Sequence, residues 1–224
     1  MQFCRRNLAW VAGALAALGL ITVASAPVAA AAPLQTKSVG EIFAAARSAM
    51  LHVKNFHVEG SVPSLKMDLS LSGTGGGGSV TTDGATLDIV VARKTIYIKA
   101  DAKSWQKLTG NASIAKELAN KWIKAPANTP NYKDFADLTI IKDFMGQFFS
   151  SDQGLAKVSG TEVVNGEKAF ELSDGQGDSV YIADQGPPYV LQVTGGGSQG
   201  GALNFSDFGD APIPAVPASA ISEP

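Results

Sequence analysis

The chain has 224 residues, a formal charge of −2 and a charged fraction of only 17%. A near-neutral balance, with basic residues scattered and not gathered in a stripe, argues against a nucleic-acid partner. The single cysteine is Cys4, inside the amino-terminal signal segment, so the rest of the chain has no thiol for a disulfide framework, a nucleophile or a cysteine metal site.

Residues 1–31 read as a secretory signal. Arg5 and Arg6 give a positive start, residues 8–23 are apolar and uncharged, and Ala24-Ser25-Ala26 opens a small-residue block that runs to Pro33. Proline just after a cut is unfavourable, so cleavage is expected after Ala31 and not after Ala26 or Ala32. The apolar run is short for a span of about 20 residues. Arg5-Arg6 raises a twin-arginine route, but the residues around the pair fit that motif poorly. The apolar stretch ends on Ala and Pro, so no amino-terminal lipid attachment is expected. Beyond the signal lies one domain's worth of chain, 32–209, with a Pro- and Ala-rich tail over 210–224.

A helix is expected over 34–53, where Val39, Ile42, Phe43, Ala46, Met50 and Val53 recur at helical spacing. Ser38 and Glu41 form a capping box at its start. From Asn55 the period changes to two. Four alternating runs carry Phe56 and Val58, then Leu65 to Leu71, then Leu87 to Val91, then Ile96 to Ala100, with turn signals at Pro63-Ser64, Asp83-Gly84 and Arg93-Lys94. The run Gly73-Thr74-Gly75-Gly76-Gly77-Gly78 lacks the Lys-Ser/Thr and helix start that phosphate binding needs, and reads as a hairpin tip or a bent strand.

Two further helices are expected, over 113–121 and 135–149, around a strand at Lys121-Trp122-Ile123-Lys124. The second has an apolar arc wide enough to be buried on more than one side. Strands come next over 155–164, 168–173, 179–183, 189–194 and 202–208. Asn165-Gly166 and Asp174-Gly175 are strong hairpin signals. Short turns between neighbours imply an antiparallel sheet. The predicted class is α+β: a strongly curved antiparallel sheet of about ten or eleven strands, partly closed by a few helices. A curved sheet partly closed by helices leaves a concave apolar interior, which is a natural ligand site.

Catalytic and metal chemistry find little support. His52 and His57 flank the first helix–strand junction, and only Glu59 is near in sequence, so no metal site is expected. Asp174, Gln176 and Asp178 alternate in a Gly-rich turn but lack the closing Glu of a calcium loop. No nucleophile elbow and no cofactor are expected. Asn111-Ala112-Ser113 is a glycosylation sequon only in a eukaryotic secretory pathway. The candidate site is therefore apolar: Leu69, Leu71, Ile89, Val91 and Ile98 from the sheet, and Phe144, Met145, Phe148 and Phe149 from the central helix. Against this stands a filled core, with the exported domain acting as a protein-interaction module through an exposed apolar patch.

The carboxy-terminal third carries a family resemblance. Val163-Val164-Asn165-Gly166-Glu167-Lys168-Ala169-Phe170-Glu171-Leu172, Val180-Tyr181-Ile182, Pro188-Tyr189-Val190-Leu191-Gln192-Val193 and Asn204-Phe205-Ser206-Asp207-Phe208-Gly209 resemble the LppX, LprF and LprG group of actinobacterial lipoproteins, distant cousins of the carrier LolA. Trp122-Ile123-Lys124 is similar to the Trp-Val-Lys-type strand of that group. The resemblance spans nearly the whole mature chain. It implies a half-barrel over central helices, a cavity for acyl chains, and non-catalytic carriage of a lipid, glycolipid or lipidated protein in the cell envelope. It also implies a monomer with an envelope transport partner and transient membrane contact. The group's lipobox cysteine has no counterpart here, which implies a member free in the envelope space or secreted.

Overall fold

The structure, a computed structural model, describes residues 34–148, 154–158, 160–196 and 200–222. The signal segment lies outside these residues. A short 3₁₀ turn, Leu34–Thr36, leads into α1 (Val39–His52). The capping box is present. The Ser38 backbone amide and hydroxyl donate to the Glu41 carboxylate at 2.8 and 2.6 Å, and the Glu41 amide donates back to Ser38 Oγ at 3.3 Å. The helix is shorter than the apolar periodicity because the cap fixes its start and Val53 is extended. It buries Ile42, Phe43, Ala46 and Met50.

Five strands then meander: β1 (Asn55–Val62), β2 (Leu65–Ser72), β3 (Gly76–Thr82), β4 (Ala85–Ala92) and β5 (Thr95–Ala100). At Asp83-Gly84 and Arg93-Lys94 both turn residues have positive φ, the two-residue hairpin geometry that matches strand twist. The glycine run is half turn and half strand: residues 73–75 join β2 to β3, and Gly76 opens β3. Gly76, Gly77 and Gly78 pair with β2 on one side and β4 on the other. A Cβ on Gly78, at φ +145°, would sit 2.1 Å from the Asp68 carbonyl oxygen.

The chain next forms α2 (Ala102–Thr109), which the apolar pattern does not announce, and α3 (Ala112–Leu118). Capping explains both. Asp101 accepts from the Ser104 amide at 2.6 Å, Gly110 closes α2 in the left-handed region, and Asn111 accepts from the Ser113 and Ile114 amides. The helix expected to reach Lys121 stops at Leu118, and Asn120 turns left-handed before β6 (Ile123–Pro126).

The long helix expected over 135–149 is broken. It is α4 (Lys133–Asp137) and α5 (Ile141–Phe148). At the break the Thr139 hydroxyl, wholly buried, donates to the Ala136 carbonyl at 2.9 Å, and Ile140 bridges to Ser72 at the end of β2. Tertiary pairing overrides helical periodicity there.

The strand expected over 155–164 is likewise split, into β7 (Ala156–Lys157) and β8 (Glu162–Val164), with Gly160 at φ +107° between them. Both pair with β9 (Glu167–Ser173), followed by β10 (Ser179–Ala183), β11 (Val190–Thr194) and β12 (Ala202–Ser206). The tail ends in β13 (Ile221–Ser222), which pairs with β6 in parallel, the exception to an otherwise antiparallel sheet among the described residues.

The described strands form one open, curved sheet of 13 strands in the order β13-β6-β5-β4-β3-β2-β1-β12-β11-β10-β9-β7, with β8 on β9. The split of one expected strand and the added tail strand account for a count above ten or eleven. The two meanders meet where β1 pairs with β12, His57 opposite Ser206 and Val58 opposite Phe205. An aromatic triangle fills this seam: Phe56 of β1, Phe205 of β12 and Phe144 of α5, with ring centroids 5.8 to 6.4 Å apart. One apolar core spans the helices and the covered face of the sheet. A smaller cluster joins Val164, Ala169, Ala183 and Leu191.

A candidate ligand cavity between the sheet and the α2–α3 hairpin

Helix α2 is tied to the sheet. Ser104 Oγ accepts from the Thr86 amide of β4 at 3.0 Å, and Lys107 Nζ donates to the carbonyls of Asp83 and Gly84 at 3.4 and 3.0 Å. This tether positions the indole of Trp105 over the sheet. Behind it lies a cavity of about 530 Å³, within the roughly 300–1,000 Å³ of ligand sites. Leu87, Ile98 and Ile123 form its sheet wall, and Trp105, Leu118 and Phe135 its helical wall. Leu108 and Ile114 line it too, yet are 41% and 37% exposed, so they mark its mouth between α2 and α3. Its polar contributors are Thr109, Asn131 and Tyr132. No Lys, Arg, Asp or Glu is among its lining residues.

A second cavity of about 510 Å³ lies further along the same strands. β4 offers Leu87 to the first and Val91 to the second, and β6 offers Ile123 and Pro126 in the same order. Phe135 of α4 lines the first, while Ala136, Asp137 and Lys133 line the second, so this short helix separates them. Lys133 and Asp137 form an i,i+4 ion pair, and that contact raises the Lys133 pKa.

The residues singled out from the sequence divide between cavity and core. Ile98 lines the first cavity and Val91 the second. Leu69, Leu71, Ile89, Phe144 and Met145 are buried in the core and line neither. Phe149 and the side chain of Phe148 lie outside the described residues. Of the residues that line the first cavity, sequence reasoning singles out Ile98 alone and misses the others, Trp105 and the mouth residues Leu108 and Ile114 among them. The signal that could find them is the Asp101 cap, three residues before Ser104, with Gly110 after the helix.

The polar face of the sheet brings His57, Glu59 and Asp68 together, with one ligand atom of each within 4.8 Å of the others. Turn geometry makes this legible after the fact. The hairpin at Pro63-Ser64 sets Glu59 opposite Asp68. His57 Nε2 is 3.5 Å from Asp68 Oδ1, and its Nδ1 is 3.4 Å from Ser70 Oγ. Both carboxylates are exposed, and the group reads as a surface cross-strand pair.

The Asp174 loop behaves as a turn: Asp174 Oδ1 accepts from the amides of Gln176 and Asp178 at 2.7 and 3.0 Å. The spelling Gly-x-Ser-x-Gly does occur, at 196–200. It joins β11 to β12, two strands, whereas a nucleophile elbow turns from strand into helix; Ser198 lies outside the described residues.

The fold defines the molecule as an α+β half-barrel, open and built around helices. LprF from Mycobacterium bovis shares it, at a TM-score of 0.55 and 13% identity, over 79% of this chain and 96% of that one. LppX, a lipoprotein of Mycobacterium tuberculosis, aligns at a TM-score of 0.48 and 14% identity, over 78% of this chain and 98% of that one. No family model and no curated protein matches the sequence. The likeness to LprF is one of fold. Among the described residues no helix is long and apolar enough to cross a membrane.

Proposed function

We propose that this protein is a non-catalytic binder of an acyl-chain ligand, exported through the signal of residues 1–31 and acting in the envelope space or outside the cell. The observation that carries the reading is the apolar cavity of about 530 Å³ with exposed Leu108 and Ile114 at its mouth. Burying about ten methylenes of an acyl chain is worth about 8 kcal/mol before association costs. Such a site needs no charged partner, and none lines it. The resemblance to the LppX, LprF and LprG group supports an acyl ligand, and supports carriage of it to or from a membrane by the domain that follows the signal.

The test is native mass spectrometry of the purified protein, followed by titration with a fluorescent fatty acyl probe. Bound lipid at about one per chain, and loss of probe uptake in Leu108→Asp/Ile114→Asp, is the expected result. The mouth residues are exposed, and far-UV circular dichroism of the double variant checks that it folds. A clean apo mass with no probe uptake, or uptake indifferent to the mouth charges, overturns the reading and favours a protein-interaction module.

A further inference from the structure

We propose that His57, Glu59 and Asp68, on the polar face of the sheet, form a binding site for a divalent cation of the zinc class, with water completing its coordination.

The three side chains come from adjacent strands and share one face. His57 and Glu59 are two residues apart on β1, so both point to the same side, and the β1–β2 register sets Asp68 opposite Glu59. One ligand atom of each lies within 4.8 Å of the others. His57 Nε2 is 3.5 Å from Asp68 Oδ1. Bonds of about 2.0–2.2 Å in a tetrahedral zinc site hold neighbouring donors about 3.3–3.6 Å apart, so this pair already has the required spacing. Glu59 is exposed and closes the remaining distance by rotating its side chain. The other ring nitrogen of His57 is provided for too. Nδ1 lies 3.4 Å from Ser70 Oγ, and Ser70 is buried. In the tautomer protonated at Nδ1, that N–H donates to the hydroxyl and Nε2 presents its lone pair to an ion, the arrangement that orients a metal-bound imidazole.

Charge supplies an independent reason. Glu59 and Asp68 are like charges directly opposite each other, which destabilises a strand pair. Their other cross-strand neighbours are uncharged: Asn204 beside Glu59 and Ser79 beside Asp68. Lys66 stands two residues along β2 from Asp68, opposite Ser61, and among the described residues neither carboxylate pairs with a lysine or an arginine. A divalent cation converts the repulsion into shared ligation. The donor set also selects the ion. Imidazole suits zinc, copper and nickel, whereas magnesium and calcium favour oxygen ligands. The site is open to solvent, with the side chains of His57 and Asp68 20% and 65% exposed. None of the three residues lines either cavity.

The experiment titrates zinc chloride into untagged, metal-stripped protein at neutral pH by isothermal calorimetry. Alongside it, the imidazole nitrogens of ¹⁵N-labelled protein are followed by NMR, with His57 assigned by elimination in His52→Gln. One zinc per chain should bind with a micromolar Kd. His57→Gln and Asp68→Asn should each weaken it roughly tenfold or more, while His52→Gln, which removes the other imidazole, should leave it unchanged. In the parent protein zinc should shift the His57 Nε2 resonance and leave the Nδ1 proton in place, a readout that survives if a ligand variant does not fold. Magnesium or calcium in millimolar excess should not displace it. Absence of zinc binding, binding kept in a folded His57→Gln, an unmoved His57 ring resonance, or displacement by magnesium at equal concentration overturns the proposal.

Discussion

Replacing Phe144 with alanine tests whether the aromatic of α5 belongs to the core seam or to a ligand surface. Its ring is wholly buried, 6.4 Å from Phe56 and 6.3 Å from Phe205, edge-on to both. Truncating a buried Phe costs about 3–5 kcal/mol, because packing is lost and the cavity left behind closes only partly. Each edge-to-face pair adds roughly 0.5–1.5 kcal/mol beyond buried area, which places this site in the upper half of that range, near 4 kcal/mol. Against the 5–15 kcal/mol of an ordinary domain the loss is large but leaves a folded protein. Urea unfolding followed by far-UV circular dichroism should show a lower midpoint with an unchanged slope. A loss below about 1.5 kcal/mol would mean that the ring borders space that relaxes or that a ligand fills, and the seam would not be a packed joint.

Three further outcomes rest on local geometry. Ser38→Ala should cost about 1 kcal/mol through the lost cap of α1. The Ser38 hydroxyl and then its amide hold the Glu41 carboxyl below its ordinary range, as the Ser104 amide and then its hydroxyl do for Asp101. With folded values depressed, their contribution is present above the unfolded values and lost as pH falls from about 5 toward 3; urea midpoints across that range should decline, less steeply in Ser38→Ala. Gly78→Ala, whose Cβ would meet the Asp68 carbonyl oxygen at 2.1 Å with φ at +145°, should destabilise by more than about 1 kcal/mol, read from the thermal midpoint. Ser104→Ala strips the Thr86 amide of its acceptor and should cost about 1–3 kcal/mol, with faster hydrogen exchange at Thr86 as the site-specific check.

The strands are legible in the sequence because each covered-face position repeats at a period of two: Ile96, Ile98 and Ala100 are buried between half-exposed Thr95, Tyr97 and Lys99. The turns are legible from their dipeptides. Helix α2 is not, because its apolar face is only Trp105 and Leu108 within eight residues, too short a run for periodicity to stand out; its clearest signals are caps. The apolar pattern over 135–149 overstates the helix. Eight apolar residues suit a buried helix, but Ile140 pairs with Ser72 instead, a long-range contact invisible to periodicity. The cavity suffers from the same blind spot. Bulk and hydrophobicity point to Phe144 and Met145, which are wholly buried in the core.

Filled and unfilled space in this sheet is set by side-chain size at two joints. At the β1–β12 seam three aromatic rings from β1, β12 and α5 converge and leave little room. Across β4, β5 and β6 the facing side chains are Leu87, Ile98 and Ile123, aliphatic and shorter, while the helices above them are held at a distance set by α2's tether to the β3–β4 turn. Short side chains under a pinned roof leave a void. An empty apolar void is destabilising, so an apolar molecule that fits this one should raise the unfolding midpoint of the protein.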